Sequence, residues 1–190
     1  MPMTLTRSLL TVILPGMVAV APWLLIAMMA NADLRHLYLK YSVAFHACAF
    51  GVAVLVGSIF EEIGCYLERR WDREVGDGDR PSREINWLVK DWYTYLGRSF
   101  GSGEPVGYRY ASRKVTSMYF EIAMMFAVPC SLFGFSMLFV ALHGELDHLF
   151  YTFMLLSLFG FFLFSRMAHD THQLLCELRH FLPEFLSTKA

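Results

Sequence analysis

The amino-acid sequence predicts an all-α integral membrane protein, a helical bundle of four transmembrane helices with helical cytoplasmic extensions. The first observation is composition: the 190 residues are 56% hydrophobic and 17% charged, whereas soluble domains are about 45–50% apolar and about 25% charged. The second is that four apolar segments are close to the roughly 20 residues that a helix needs to cross a bilayer. The formal net charge of −1 does not point to nucleic acid or to an acidic partner.

The four apolar segments predict two transmembrane hairpins. In each hairpin a short polar segment joins two apolar ones, which predicts a tight turn over 31–40 and another over 143–148. The predicted units are a first hairpin over 1–60 with spans 9–30 and 41–60, a cytoplasmic module over 61–114, a second hairpin over 115–168 with spans 118–142 and 149–167, and a C-terminal cytoplasmic helix and tail over 169–190.

The distribution of lysine and arginine predicts the orientation. These residues are enriched in cytoplasmic loops. Residues 61–114 hold ten of the sixteen, and the two short turns hold only Arg35 and Lys40. Both termini are therefore expected in the cytoplasm. A cleaved signal peptide is the alternative interpretation of 9–30, but its apolar region is about twice the usual 7–15 residues.

A stripe of small residues on the second span predicts a close helix–helix contact. Ala49, Ala53 and Gly57 follow one another at four-residue spacing, which places them on one face of a helix. Small residues let helix backbones approach closely in lipid. The contact is expected within the subunit or between subunits, since the spacing does not distinguish the two.

The cytoplasmic module is expected to contain two helices. The second span is predicted to continue through Trp71 and to end at the turn sequence GDGD, residues 76–79. A further helix is expected to begin near Pro81, because proline is favoured in the first turn, and to end at Gly97, a typical C-cap.

The end of this module contains the candidate ligand-binding residues. Cationic side chains and aromatic rings together favour a nucleotide-type ligand, although the spacing fits no P-loop or dinucleotide motif. The alternative interpretation is a flexible turn whose arginines only set the topology. The candidates are Arg98, Tyr108, Arg109, Tyr110, Arg113 and Lys114.

The C-terminal helix contains candidate metal ligands. His169, His172, Cys176 and His180 fall within roughly an 80° sector of a helix, and imidazole and thiolate are good transition-metal ligands. One helix does not close a four-ligand site, so Glu61, Glu62 and Cys65 are candidates for further ligands. The alternative interpretation is that these residues form only the polar face of an amphipathic helix. In either case the helix is expected to stop at Pro183.

No hydrolase, metalloprotease or kinase motif is evident, so a channel is favoured over an enzyme. Prolines interrupt the first and third spans, a feature that suits a gate but that also occurs in ordinary packing. The four-span architecture resembles the small membrane effectors of bacterial antiphage defence systems. That resemblance implies a bacterial inner-membrane protein in which a nucleotide signal or a soluble cytoplasmic partner controls membrane damage. Channel function in turn implies a homo-oligomer, because four spans alone barely enclose a water-filled path. A metal-dependent membrane enzyme and a membrane anchor for a soluble partner stay open, and no cofactor other than a transition metal is expected.

Overall fold

The computed structural model describes residues 7–79, 106–144 and 148–187, and their side chains over 7–74, 110–144 and 148–178. All regular structure in these residues is helical, which confirms the all-α prediction. The first helix is preceded by a turn of π-helix, Leu9–Ile13. The helices are α1 (Leu14–Ala30), α2 (Ala32–Lys40), α3 (Ser42–Asp79), α4 (Val106–His143) and α5 (His148–Ser187).

Four helical segments are long and apolar enough to cross a membrane, as the sequence predicts. They are Leu9–Ala30, Ser42–Glu74, Tyr110–His143 and His148–Leu178. The protein is therefore a multi-pass membrane protein. α3 is helical through Asp79, so the GDGD sequence, where a turn is expected, is part of the helix. The helix predicted between Pro81 and Gly97 lies outside the described residues.

Two other local predictions were wrong. The segment 31–40 forms the short helix α2 and not a simple turn, because Asn31 caps it: Asn31 Oδ1 accepts hydrogen bonds from the amides of Asp33 at 2.9 Å and Leu34 at 3.2 Å. The last helix was expected to stop at Pro183, but α5 continues to Ser187. A proline removes only one helical hydrogen bond, so the neighbouring bonds hold the helix together.

A close helix–helix contact joins α3 to the first span. A Cβ atom on Gly57 would overlap the carbonyl oxygen of Val12, and a Cβ atom on Gly16 would overlap that of Ala53. The small residues of α3 therefore contact the first span of the same chain. Ala53 and Gly57 are buried in this contact, whereas Ala49 is half-buried.

The packed interior continues beyond the membrane-spanning length. α3 has 38 residues, which corresponds to about 57 Å of helix, whereas the hydrocarbon core is roughly 30 Å thick. Near one end of the bundle Met118, Ile122 and Leu175 form a buried cluster, against which Trp71 packs. α3, α4 and α5 are thus held together at this end of the bundle.

Candidate functional site

Three polar contacts join α3, α4 and α5 at the end of the bundle where α4 begins. The N-terminal segment lies at the same end, because the Arg7 guanidinium lies over the Tyr119 ring at 5.5 Å from its centroid. The basic N-terminal segment and the basic ends of these helices are therefore brought together.

The first contact is a cluster of Asp72 on α3 with His172 and Cys176 on α5. His172 Nε2 lies 2.8 Å from Asp72 Oδ1 and 3.7 Å from Cys176 Sγ. His172 is fully buried and Cys176 is 7% exposed, whereas the Asp72 side chain is 29% exposed. The Trp71 ring packs on the His172 ring with 5.5 Å between centroids, so the imidazole is held between a carboxylate, a thiol and an aromatic ring.

The three side chains of this cluster carry the atoms that bind transition metals. Imidazole nitrogen, thiolate sulfur and carboxylate oxygen are the zinc ligands of proteins, and here one such atom from each side chain lies within 4.8 Å of the others. Tetrahedral zinc would set the nitrogen–sulfur distance at about 3.6 Å and the nitrogen–oxygen distance at about 3.4 Å. The first value matches the observed 3.7 Å. The second exceeds the observed 2.8 Å, so His172 Nε2 and Asp72 Oδ1 would have to separate by about 0.6 Å.

The cluster contains two of the four metal ligands that the sequence suggests. His172 and Cys176 lie one turn apart and converge. His169 does not join them: its ring contacts Trp71 edge-on at 5.6 Å, and its Nε2 lies 3.1 Å from Gln173 Nε2. The His180 side chain lies outside the described residues.

Sequence reasoning missed Asp72 and proposed residues nearer the membrane on the same helix. Cys65, one of them, lies beside Tyr119 and not beside the His172 cluster. The proposal assumed that the apolar runs of α3 and α5 end at one depth. In the structure Asp72, twelve residues after the predicted end of its span, meets His172, which is five residues after its own. The signal available in the sequence was Trp71, since an aromatic residue next to Asp72 marks a helix face that still packs.

The second contact is centred on Glu121, a buried carboxylate on α4. Its Oε1 accepts a hydrogen bond from Ser117 Oγ at 2.9 Å, and its Oε2 accepts one from Thr171 Oγ1 of α5 at 2.8 Å. Glu121 is 7% exposed. Burying a carboxylate is costly unless hydrogen bonds replace water, and both of its oxygens have such a partner.

The third contact is centred on Tyr119 of α4. Its hydroxyl donates a hydrogen bond to Glu68 and lies 3.6 Å from Cys65 Sγ. Both partners belong to α3. Together with Arg7 over its ring, these contacts make Tyr119 the point where the N-terminal segment, α3 and α4 meet.

The candidate ligand-binding residues are only partly described. Tyr110 is exposed on the first turns of α4, with Lys114 Nζ at 5.9 Å from the centroid of its ring. Arg113 is exposed nearby. Arg98 lies outside the described residues, as do the side chains of Tyr108 and Arg109.

Comparison with protein-family models, with curated proteins and with solved structures finds no match to this chain. The function is therefore inferred from the three contacts and from the shape of the bundle. These contacts join α3, α4 and α5 in pairs at the end of the bundle where the chain is most basic. A change at that end would reach the spans directly, because the same helices form both.

Proposed function

We propose that the protein is an oligomeric membrane channel, or membrane-permeabilising effector, that opens in response to a cytoplasmic ligand or partner. The observation that carries the proposal is the continuity of three helices. α3, α4 and α5 contain 38, 38 and 40 residues, well beyond the roughly 20 needed to cross a bilayer. Each of these three spanning helices thus continues into an extension that a ligand or partner can reach.

The polar contacts give these extensions a defined arrangement. Buried hydrogen bonds have discrete partners, so helices joined by them shift between distinct packings and not through a continuous range. Thr171 and His172 lie side by side on α5 and bind α4 and α3 respectively. A ligand that moves α5 breaks both contacts together, and the movement reaches the span because the helix is continuous.

A conduction path is placed between subunits in this proposal. In the described bundle the interior is filled by side chains such as Met118 and Ile122, which are fully buried, so a subunit alone encloses protein and not water. Only 11% of the most apolar stretch of the second span, and 11% of that of the fourth, is buried within the chain. These faces are large enough to contact neighbouring copies as well as lipid.

The basic end of the bundle is assigned to the cytoplasm, because lysine and arginine stay on that side. The compact four-span architecture resembles bacterial antiphage membrane effectors, which supports a bacterial inner-membrane location. The sensing residues are assigned to the start of α4. Tyr110 can stack on a ligand ring, and Arg113 and Lys114 can bind its phosphates.

The proposal is tested by counting subunits in detergent and then measuring release of a trapped dye from liposomes that contain the protein. A closed ring of several copies that releases dye supports it. A monomer that releases none contradicts it, and a stoichiometric soluble partner on such a monomer would instead indicate a membrane anchor.

The sensing assignment is tested with the double variant Arg113→Ala/Lys114→Ala, which should lose the response to a cyclic or linear nucleotide. Arg73→Ala, an exposed arginine of α3, is the matched control, and equal responses of both variants would refute the assignment.

A metal-dependent membrane enzyme is the second candidate function. The Asp72–His172–Cys176 cluster favours it, because catalytic zinc sites use three protein ligands and leave the fourth position to water. A substrate would have to enter beside Asp72, the exposed member of the three. Purified protein without stoichiometric zinc, iron or copper would eliminate this candidate while leaving the channel proposal intact.

A further inference from the structure

We propose that Asp72, His172 and Cys176 form a zinc-binding site that joins α3 to α5 and holds the two extensions in their packed arrangement. This inference does not rest on the proposed channel function, because metal binding is measured without ion flux. It concerns a structural site, whose effect is on helix packing. It replaces the four-ligand set on one helix that the sequence suggests.

The convergence of three different donor atoms from two helices is the first argument. An intrahelical pair such as His172 and Cys176 is common by chance, since residues four apart always lie on one face. Asp72 is a hundred positions away in the chain, and its carboxylate meets the same imidazole nitrogen. A third donor from a separate helix distinguishes a chelating site from the polar face of a helix.

Burial is the second argument. His172 is fully buried and Cys176 nearly so, which shields two ligands from competing water. Cys176 is a free thiol, so its sulfur is available for coordination. The partly exposed Asp72 side chain leaves a path for the ion from the aqueous side and a place for a water molecule as the fourth ligand.

Among the side chains that the structure describes, the neighbouring groups leave these three as the ligand set. Glu68 lies one turn before Asp72 on α3 but accepts a hydrogen bond from Tyr119. His169 lies three residues before His172 on α5, but it contacts Gln173. Soft thiolate with imidazole and a single carboxylate suits zinc better than magnesium or calcium, which prefer oxygen ligands alone.

The site has a mechanical consequence. In its present arrangement the cluster joins the helices through one hydrogen bond of His172 to Asp72. A metal would replace that bond by three coordinate bonds from two helices. Because the ion binds the packed state and not the separated helices, it stabilises that state by a free energy that rises with the logarithm of the zinc concentration above Kd. Zinc is thus expected to oppose any separation of the α3 and α5 extensions.

The test uses the full-length protein in detergent, stripped with a chelator and then titrated with Zn²⁺ or Co²⁺. One zinc per chain by mass spectrometry, a thiolate-to-cobalt charge-transfer band and a higher thermal midpoint with zinc are expected. Cys176→Ser should abolish the band, and Asp72→Asn should weaken zinc binding at least about tenfold. Cys48→Ser and His169→Gln, which change an exposed cysteine and a histidine outside the cluster, should bind as the native chain does.

Three results would overturn the inference. The first is native protein that retains no stoichiometric zinc after gel filtration. The second is a cobalt band that survives Cys176→Ser. The third is a loss of binding in His169→Gln equal to that in Asp72→Asn, which would assign the ion to one face of α5. The titration of the native chain needs no variant, so the inference stays testable if a buried substitution prevents folding.

Discussion

Thr171 on α5 donates a hydrogen bond to the buried carboxylate of Glu121 on α4, with 2.8 Å between Thr171 Oγ1 and Glu121 Oε2. Ser117 donates to the other carboxylate oxygen. The bond joins two helices at the level where they leave the apolar part of the bundle. Without the Thr171 hydroxyl, the buried carboxylate would lose one of its two hydrogen-bond donors.

Thr171→Val is therefore expected to destabilise the fold. The isosteric methyl keeps the packing, so the loss is that of a hydrogen bond to a charged group, roughly 1.5–3 kcal/mol. The measurement is the free energy of unfolding by sodium dodecyl sulfate in mixed micelles. Thr152→Val is the control, because Thr152 lies exposed on the same helix and donates only to the His148 carbonyl. Equal effects of the two substitutions would show that the Glu121 bond contributes nothing.

The approach of α3 to the first span gives a second prediction. Gly57→Ala gains up to about 1 kcal/mol of helix propensity, but its Cβ would overlap the backbone of Val12. Backbone cannot rotate away as a side chain can, and such overpacking costs about 1–3 kcal/mol or more. The cost of the clash is expected to exceed the gain in helix propensity, so Gly57→Ala should have a lower thermal midpoint in detergent than the native chain.

Gly51→Ala is the matched control on the same helix. A Cβ there meets nothing within 4 Å, so only the propensity gain remains and the midpoint should stay level or rise. If Gly57→Ala were as stable as Gly51→Ala, the close contact between α3 and the first span would be disproved.

Tyr119 provides a third prediction. Tyr119→Phe keeps the ring under Arg7 but removes the hydroxyl that binds Glu68 and lies near Cys65. Loss of this hydrogen bond to a carboxylate should lower the free energy of unfolding by about 1.5–3 kcal/mol. Tyr151→Phe, an exposed tyrosine on α5, should change it by less than about 0.5 kcal/mol. A Tyr119→Phe protein as stable as the control would mean that this contact does not hold α3 to α4.

The sequence predicted the spans well because a long apolar segment is stable in lipid as a helix, in which the backbone N–H and C=O groups hydrogen-bond to one another. It predicted 31–40 less well. Polar residues such as Asp33 and Lys40 favour a turn by composition, yet the Asn31 cap and the charges at the two ends stabilise a short helix. Composition thus favours a turn and the end effects favour a helix, and the segment forms the helix.

The candidate site was only half predictable for a related reason. His172 and Cys176 are four residues apart, so helix periodicity alone places them together. Asp72 joins them through the relative depth and rotation of α3 and α5, which tertiary packing sets and local sequence does not. The same packing turns His169 toward Trp71 and away from the cluster, although periodicity puts it on the same face.

The orientation in the membrane is the last prediction. His36 lies exposed on α2 and Arg73 lies exposed near the opposite end of α3, so a single cysteine at either position reports one side. In a variant with alanine at the four native cysteines, His36→Cys is expected to react with an impermeant maleimide on intact cells, because the basic end of the bundle stays cytoplasmic. Arg73→Cys should react only after the cells are permeabilised. The reverse pattern would place the basic end outside the cell, and with it the extensions that the channel proposal assigns to cytoplasmic sensing.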